Sequence, residues 1–187
     1  MTRRGFLRVG AGGRGSVHRP PWAVAESLFQ SLCSRCGTCL SVCPKRILVR
    51  GDGTFPTVDF RRDGCTFCEK CVEACTEDAL SKAIDPPWTL KAAIGEACLE
   101  HQGVVCRACA DFCEPNAIRF KPTNGGRALA RVEAGACTGC GACVSRCPVR
   151  VIAIAPEAPS RRPNARSPNA RSPNEGAILA DQPLHPL

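Results

Sequence analysis

The spacing of the cysteines constrains what this chain can fold into more than any other feature of its sequence. All sixteen cysteines of the 187-residue chain fall into four runs of four. Three runs share the spacing C-x2-C-x2-C-x3-C, and the third run differs only in a longer first gap. The runs are Cys33/Cys36/Cys39/Cys43, Cys65/Cys68/Cys71/Cys75, Cys98/Cys106/Cys109/Cys113 and Cys137/Cys140/Cys143/Cys147.

Three kinds of site use clustered cysteines, and the repeated spacing favours one of them. A structural zinc site usually has two C-x2-C pairs joined by a longer segment. A disulfide scaffold is typical of small exported domains, and no usable export signal is visible in this sequence. The spacing found here is the ligand run of [4Fe–4S] clusters. We therefore predict that all sixteen cysteines are iron ligands, and that the chain binds four clusters, or at least three.

The same spacing predicts which cysteines share a cluster. In two-cluster ferredoxins, the fourth cysteine of each run binds the neighbouring cluster. The longer gap between Cys98 and Cys106 leaves open both the pairing in the second half and whether that site is filled. The expected sets are quartet 1 (Cys33, Cys36, Cys39, Cys75), quartet 2 (Cys65, Cys68, Cys71, Cys43), quartet 3 (Cys98, Cys106, Cys109, Cys147) and quartet 4 (Cys137, Cys140, Cys143, Cys113).

Composition indicates that the clusters replace a conventional core. The chain has no Tyr, two Trp and seven Phe, which is a small supply of large apolar side chains. Small domains need a metal or another staple to fold. We expect the chain without iron to be largely unfolded. Glycines between the ligands, at 37, 139 and 141, would let backbone N–H groups approach the cluster sulfurs.

The pattern of short segments predicts an α+β protein made of two tandem dicluster units, each like a bacterial ferredoxin with a βαβ-hairpin arrangement. Apolar residues with helical spacing lead into the first run, and β-like segments around Gly- and Asn-containing turns follow the first and third runs. Residues 89–97 are expected to form a short helix. The predicted division is a disordered basic N-terminus (1–19), a first unit (20–85), a connector (86–97), a second unit (98–155) and a disordered Pro/Asn/Arg-rich tail (156–187).

Charge and hydropathy exclude two classes of partner. The formal charge is +8, but bound clusters with their thiolates offset it, so a nucleic-acid partner is not expected. No apolar run approaches the roughly 20 residues that cross a bilayer. Arg3 and Arg4 resemble a twin-arginine export motif. The residues that follow lack a continuous apolar stretch, so we expect a cytoplasmic protein.

The sequence favours an electron carrier over an enzyme. No phosphate-binding glycine loop is present in a strand–helix context. The three histidines, His18, His101 and His185, have no acid or base partner nearby in sequence. His101 lies between two predicted ligands, where a surface position and a role in tuning a cluster are both open. A cluster held by four cysteines leaves no iron free for a substrate.

Three further segments accompany the four cysteine runs: residues 19–22 (Arg-Pro-Pro-Trp), residues 94–99 (Ile-Gly-Glu-Ala-Cys-Leu), and residues 106–115 around the third run. Through these features, and through Arg3 and Arg4 at the start, the chain resembles the NapF family of ferredoxin-type proteins from about residue 20 to residue 155. The long gap before Cys106 belongs to that family's pattern. The Pro-Asn-Ala-Arg-Ser repeat of the tail departs from it.

The resemblance implies a cytoplasmic maturation factor of the periplasmic nitrate reductase system. Its partner would be the precursor of the catalytic subunit, contacted before export, with Arg3 and Arg4 as candidate contact residues. Trp22 is expected to pack inside the protein, and a partner contact is its alternative role. Two other readings stay open at this point. The chain could be an electron-transfer subunit of a larger oxidoreductase, or a scaffold that donates a whole cluster from the irregular third run.

Overall fold

The computed structural model describes residues 17–123 and 127–157. The predicted disorder of residues 1–16 and 158–187, the role of Arg3 and Arg4, and the tip of the turn at 124–126 lie outside these ranges. Within the ranges, no helix combines the length and the apolar character needed to cross a bilayer. The described part consists of five short helices, one 3₁₀ turn and six strands, in keeping with the predicted α+β class.

The first unit is built around one antiparallel hairpin. The turn sequence Gly51-Asp52-Gly53 reverses the chain, and Val49 lies opposite Thr57 in the hairpin register. This confirms the hairpin that the sequence predicted after the first run. The elements are α1 (Glu26–Leu32), α2 (Thr38–Ser41), β1 (Leu48–Arg50), the 3₁₀ turn (Asp52–Thr54), β2 (Pro56–Val58) and α3 (Lys70–Glu73).

The core of the first unit forms where α1 packs on this hairpin. Phe29 of α1 is fully buried and lies 6.2 Å, centroid to centroid, from the ring of Phe55. Burying a side chain of this size contributes roughly 1.5–3 kcal/mol. The guanidinium of Arg19 lies 5.0 Å from the Phe29 ring centroid and pairs with Glu26 at 2.6 Å. Trp22 is 7% exposed and belongs to the same cluster.

The second unit is enclosed by two strands that are distant in sequence. β3 pairs with β6 in antiparallel register, with Ala92 opposite Ile154. β4 and β5 form the hairpin that the sequence predicted, with Phe120 opposite Ala130. The elements are β3 (Leu90–Ile94), α4 (Ala108–Asp111), β4 (Ile118–Pro122), β5 (Ala128–Val132), α5 (Ala142–Arg146) and β6 (Ile152–Pro156).

The structure corrects two expectations for the connector. The short helix expected over residues 89–97 is instead the strand β3. Its partner β6 comes more than fifty residues later, so no local sequence pattern could predict the pairing. Because β3 supplies half of this sheet, the second unit begins at β3 and not at residue 98. At its other end, Pro156 of β6 pairs with Leu90, so the predicted disordered tail does not begin at residue 156. In the first unit, an isolated bridge between Ala23 and Leu80 joins its two ends.

The N-terminal boundary also needs correction, because His18 and Arg19 are packed against the fold. The backbone carbonyl of His18 accepts a hydrogen bond from the Val58 N–H at 2.8 Å. Its ring Nε2 donates to the carbonyl of Ile154 at 2.9 Å, and the ring lies 5.8 Å from Phe60. His18 therefore connects the first unit to β6 of the second unit. The expected disorder of 1–19 does not extend to these two residues.

Replacement of His18 by Gln should make the stability of the protein less dependent on pH. Burial lowers the pKa of His18 below 6.5, although the bond to Ile154 opposes this shift. The unfolded chain therefore binds a proton at His18 more strongly than the folded chain does. As a result, burying the neutral imidazole contributes its full share to the free energy of unfolding only above about pH 6.5. This contribution is lost as the pH falls through 6.5 toward the folded-state pKa.

The check is the urea midpoint of the iron-loaded protein, measured anaerobically by circular dichroism at about pH 7.5 and about pH 5.5. His18→Gln should lose less stability between these two pH values than the wild type. His185→Gln, which removes a histidine outside the described residues, is the control and should behave like the wild type. An equal loss in wild type and His18→Gln would contradict the assignment.

Candidate iron–sulfur centres

The third cysteine of each run lies on a short helix that follows its ligand loop. Cys39 is on α2, Cys71 on α3, Cys109 on α4 and Cys143 on α5, and the last three are buried. Burial raises the pKa of all four thiols, and the charges of neighbouring thiols raise it further. The pKa reaches about 12 for Cys39, Cys71 and Cys143, and about 11 for Cys109. Thiols in such surroundings lose their protons only if a cation replaces them.

In the first unit, the structure brings the cysteines together as the motif rule predicts. The cysteines whose charges raise the pKa of Cys39 are Cys71 first, from quartet 2, and then Cys33, Cys36 and Cys75, the other members of quartet 1. The grouping of quartet 1 follows from one cavity, which is lined by its four cysteines together with Phe29 of α1 and residues 79–80. A second cavity is lined by all four members of quartet 2 and is closed by Pro21, Trp22 and Ile47.

In the second unit, where the sequence left the pairing open, the structure brings together the two sets that the motif rule gives. The pKa of Cys109 is raised by the charges of Cys98, Cys106 and Cys147, which are the other three members of quartet 3. The four members of quartet 4 line one cavity, together with residues of β4, β5 and β6. The fourth cysteine of each run therefore lies beside the first three of the other run. The assignment of these cysteines as iron ligands stays a prediction.

The donor set fits iron–sulfur clusters. Each quartet offers four sulfurs, and no group of three or more His, Cys, Asp or Glu side chains in the described part of the chain is arranged to hold a single metal ion. A [4Fe–4S] cluster places its ligand sulfurs on separate irons, so its ligands need not converge on one point. Thiolates of these quartets would hold the clusters, whose iron charge offsets the repulsion among them.

Several N–H and O–H groups donate to the cysteine sulfurs. The backbone N–H of Phe67 donates to Cys65 Sγ at 3.3 Å, that of Ala117 to Cys113 Sγ at 3.3 Å, and that of Ala92 to Cys137 Sγ at 3.5 Å. The Thr38 hydroxyl donates to Cys36 Sγ at 3.4 Å, and this bond is the main cause that lowers the pKa of the Cys36 thiol. Such bonds stabilise thiolate charge and tune the reduction potential of a bound cluster.

A repeated backbone turn that was not predicted from the sequence follows every run. The third residue after each fourth cysteine has a positive φ, between 51° and 53°. In three of the four runs its N–H also bonds to the carbonyl of that cysteine, at 2.8–3.2 Å. The turn recurs at the same distance from the fourth cysteine in every run. The sequence does not reveal it because a different type of residue, or a different neighbour, occupies the position in each run. The four residues are Arg46, Asp78, Asn116 and Arg150.

The ligand loops themselves show the same regularity in three runs and a departure in the third. The residue after the second cysteine is left-handed in the first, second and fourth runs, at Gly37, Glu69 and Gly141. In the third run the corresponding residue, Arg107, has φ −119° and ψ 5°. The longer gap before Cys106 therefore changes the conformation of the loop as well as its length.

A buried carboxylate organises this longer loop. Glu100 is 5% exposed, and its Oε2 accepts the backbone N–H of Cys106 at 2.8 Å. Its other oxygen lies 4.0 Å from the guanidinium of Arg107, and Arg107 in turn lies 4.1 Å from the Phe120 ring centroid. The carboxylate thus connects the segment between Cys98 and Cys106 to the predicted ligand Cys106. A carboxylate at this position was not predicted from the sequence.

Replacement of Glu100 by Ala should weaken quartet 3 selectively. The change leaves the Cys106 N–H without its acceptor, and a bond to a charged group of this kind is worth about 1.5–3 kcal/mol. We expect faster hydrogen exchange at Cys106 and a loss of about four irons per chain. Glu100→Gln, which keeps an acceptor oxygen, should lose less.

Glu96→Ala is the matched control, because Glu96 is exposed in the same loop region. It should keep the wild-type iron content and exchange rate. If Glu100→Ala kept all its iron and its protection at Cys106, the carboxylate would have no role in forming the site.

Gly141 occupies a position that admits no side chain. Its φ is +78°, and a Cβ there would lie 2.0 Å from Cδ1 of Phe60. A left-handed conformation costs a non-glycine residue roughly 1–2 kcal/mol, and the contact with Phe60 adds to this. The absence of a side chain lets the loop of quartet 4 lie directly against the first unit.

Gly141→Ala should therefore lower the iron content by about four per chain, through loss of quartet 4. Gly135→Ala is the matched control, because a Cβ at Gly135 would meet nothing within 4 Å. Iron and sulfide analysis of the two purified variants checks this. Full iron content in Gly141→Ala would show that the loop adjusts without cost.

Two residues singled out from the sequence have structural contacts. His101 Nε2 lies 3.2 Å from the carbonyl of Ala130 on β5, so its hydrogen bond is to the hairpin of the second unit. Trp22, considered as a partner contact, is buried and lies 6.3 Å from the Phe67 ring in an edge-on arrangement. The structure therefore supports the packing role expected for Trp22 over the partner contact, since its side chain is part of the core.

Comparison with known proteins agrees with the geometry of the quartets. A family model described as a 4Fe-4S dicluster domain matches residues 32–79 and again residues 104–151. The first match contains all eight cysteines of the first unit, and the second contains seven, since Cys98 lies outside it. The cofactors are therefore [4Fe–4S] clusters, and two dicluster domains provide for four.

Curated relatives cover most of the chain. "Ferredoxin-type protein NapF" of Escherichia coli (strain K12) is 42% identical over 151 residues, which is 81% of this chain and 92% of the relative. The protein of the same name from Haemophilus influenzae is 49% identical over 134 residues, 72% of this chain and 76% of the relative. "Methylamine utilization ferredoxin-type protein MauM" of Methylobacillus flagellatus is 36% identical over 160 residues, 74% of this chain and 67% of the relative.

Proposed function

The chain belongs to the NapF family of ferredoxin-type proteins, and we propose that it supports maturation of the catalytic subunit of a periplasmic nitrate reductase in the cytoplasm, before export. Bound [4Fe–4S] clusters supply one-electron transfer. The chain's own residues hold the clusters, shield them and direct N–H groups at their sulfurs. The proposed role is to carry electrons, or to support cluster loading, while the catalytic subunit is being completed.

The observation that carries an electron-transfer role is the all-cysteine composition of every quartet. Four thiolates satisfy all the irons of a cluster, so no coordination site is kept for a substrate. Cys36 and Cys68 are exposed, which brings one edge of quartet 1 and one edge of quartet 2 to the protein surface. Electron exchange with a partner requires this proximity, because tunnelling rates fall steeply with distance.

The proposed partner is the precursor of the catalytic subunit. This proposal is supported by the NapF relatives and by the basic N-terminal sequence, in which residues 1–20 contain five arginines and no acidic residue. Arg3 and Arg4 are the proposed contact residues and lie outside the described part of the chain. A positive segment of this kind favours an acidic surface on its partner.

A second candidate is an electron-transfer subunit of a larger oxidoreductase. The observation that favours it is the apolar cluster shared by the two units, in which Phe60 of the first unit packs with Leu90 and Ile154 of the second. Close packing of this kind suits a protein that moves electrons from one unit to the other. Stable copurification with a redox enzyme at fixed stoichiometry during turnover would support this role over maturation.

Anaerobic capture experiments test the maturation role. The iron-loaded chain should retain the catalytic-subunit precursor, with its leader still attached, and should release the mature enzyme. Arg3→Ala combined with Arg4→Ala should weaken capture while the visible spectrum of the clusters stays unchanged, because a surface contact is lost and no ligand is touched.

Arg161→Ala combined with Arg162→Ala is the matched control, since it removes an equal charge near the other end of the chain. It should capture the precursor as the wild type does. Equal capture of precursor and mature enzyme, at fixed stoichiometry, would favour the subunit role instead.

A further inference from the structure

We propose that the four clusters are connected in the order quartet 1, quartet 2, quartet 4, quartet 3, so that electrons cross between the two units from quartet 2 to quartet 4. The proposal rests on the electron-transfer role proposed above. The order differs from the order of the runs along the chain, and it makes quartets 1 and 3 the two ends of the path.

The ligand loops of quartets 2 and 4 are joined by a direct hydrogen bond. The backbone N–H of Cys65 donates to the carbonyl of Cys140 at 2.7 Å. Cys65 is the first ligand of one loop, and Cys140 is the second ligand of the other. A bond between two ligand residues gives a short covalent and hydrogen-bonded route from one quartet to the other.

Close packing on both sides of this bond holds the two loops together. A Cβ on Gly64 would lie 2.7 Å from the backbone of Ala142, so the loops touch main chain to main chain at this point. Phe60 of the first unit fills the space above Gly141. Thus residues that precede Cys65 contact residues that follow Cys140.

Trp88 fixes the same junction from the connector. Its Nε1 donates to the carbonyl of Thr138 at 2.9 Å, within the loop of quartet 4. Its ring lies 5.4 Å from Phe67, in the loop of quartet 2, and 5.7 Å from Phe60. One indole therefore contacts both loops, and the arrangement does not depend on the single hydrogen bond.

Within each unit, the exchange of the fourth cysteine places two quartets side by side. Quartet 2 neighbours quartet 1, and quartet 4 neighbours quartet 3. Because the inter-unit contacts involve the loops of quartets 2 and 4, the path has one crossing. There, Cys65 and Cys140 would provide the contact across which one electron passes from a reduced cluster held by quartet 2 to an oxidised cluster held by quartet 4, with no bond formed and no proton moved.

Electron paramagnetic resonance of chains that keep only two clusters tests the order. One variant loses quartets 1 and 3 and keeps quartets 2 and 4. A comparison variant loses quartets 2 and 3 and keeps quartets 1 and 4. The first carries Cys36→Ala, Cys39→Ala, Cys106→Ala and Cys109→Ala, and the second carries Cys68→Ala, Cys71→Ala, Cys106→Ala and Cys109→Ala.

After reduction with dithionite, the chain with quartets 2 and 4 should show a dipolar splitting several-fold larger than the chain with quartets 1 and 4. The reason is that dipolar coupling falls with the cube of the distance between the two spins. An equal or larger splitting in the chain with quartets 1 and 4 would overturn the order.

A second measurement uses variants that retain all four quartets, so it does not depend on the folding of the two-cluster variants. Gly64→Ala should force the two loops apart at Ala142, and Gly135→Ala is the control in open space. With full iron content, Gly64→Ala should show weaker magnetic coupling between the units than the control. Unchanged magnetic coupling in Gly64→Ala would contradict the proposal that electrons cross between the units from quartet 2 to quartet 4.

The iron content of the unmutated chain separates this proposal from the proposed function. An unmutated chain that holds little iron would contradict the electron-transfer role itself. A fully loaded chain with no coupling between quartets 2 and 4 would contradict only the order of the clusters.

Discussion

The rest of this fold is built around thiols that are buried among apolar side chains. Cys71, Cys109 and Cys143 belong to the apolar core clusters of their units, where burial and mutual proximity raise their pKa values to about 11 or 12. As thiolates without iron, they would repel one another in a low-dielectric interior. As iron ligands they would become cross-links between segments far apart in sequence. A chain so poor in large aromatic side chains therefore gains from the clusters what other small domains gain from a larger core.

The backbone of the ligand loops shows how one short sequence pattern is repeated and where it departs. Left-handed residues after the second cysteine shape three of the loops, and a second left-handed residue ends all four runs. The third run breaks the pattern at Arg107 and uses the buried carboxylate of Glu100 to hold its longer loop. This one loop requires a charged side chain inside the protein, which makes quartet 3 different from the other three.

Local patterns predicted the hairpins after the first and third runs and which cysteines of the first unit lie together, because cysteine spacing and turn residues act over short distances. In the second unit the longer gap before Cys106 left the grouping of the cysteines open. Contacts made over long distances could not be read in this way. The strand β3 depends on β6, and His18 depends on Ile154. The contact between Cys65 and Cys140 exists only once both units are folded. Glu100 was missed because its burial follows from the loop around it.

The central claim is that sixteen cysteines hold four [4Fe–4S] clusters, and iron and acid-labile sulfide analysis of anaerobically purified protein tests it most directly. Combined with electron paramagnetic resonance of the reduced protein, the analysis should give about sixteen irons and about sixteen sulfides per chain, with reducible cluster signals. Zinc in place of iron, or about eight irons with one unit unliganded, would contradict it.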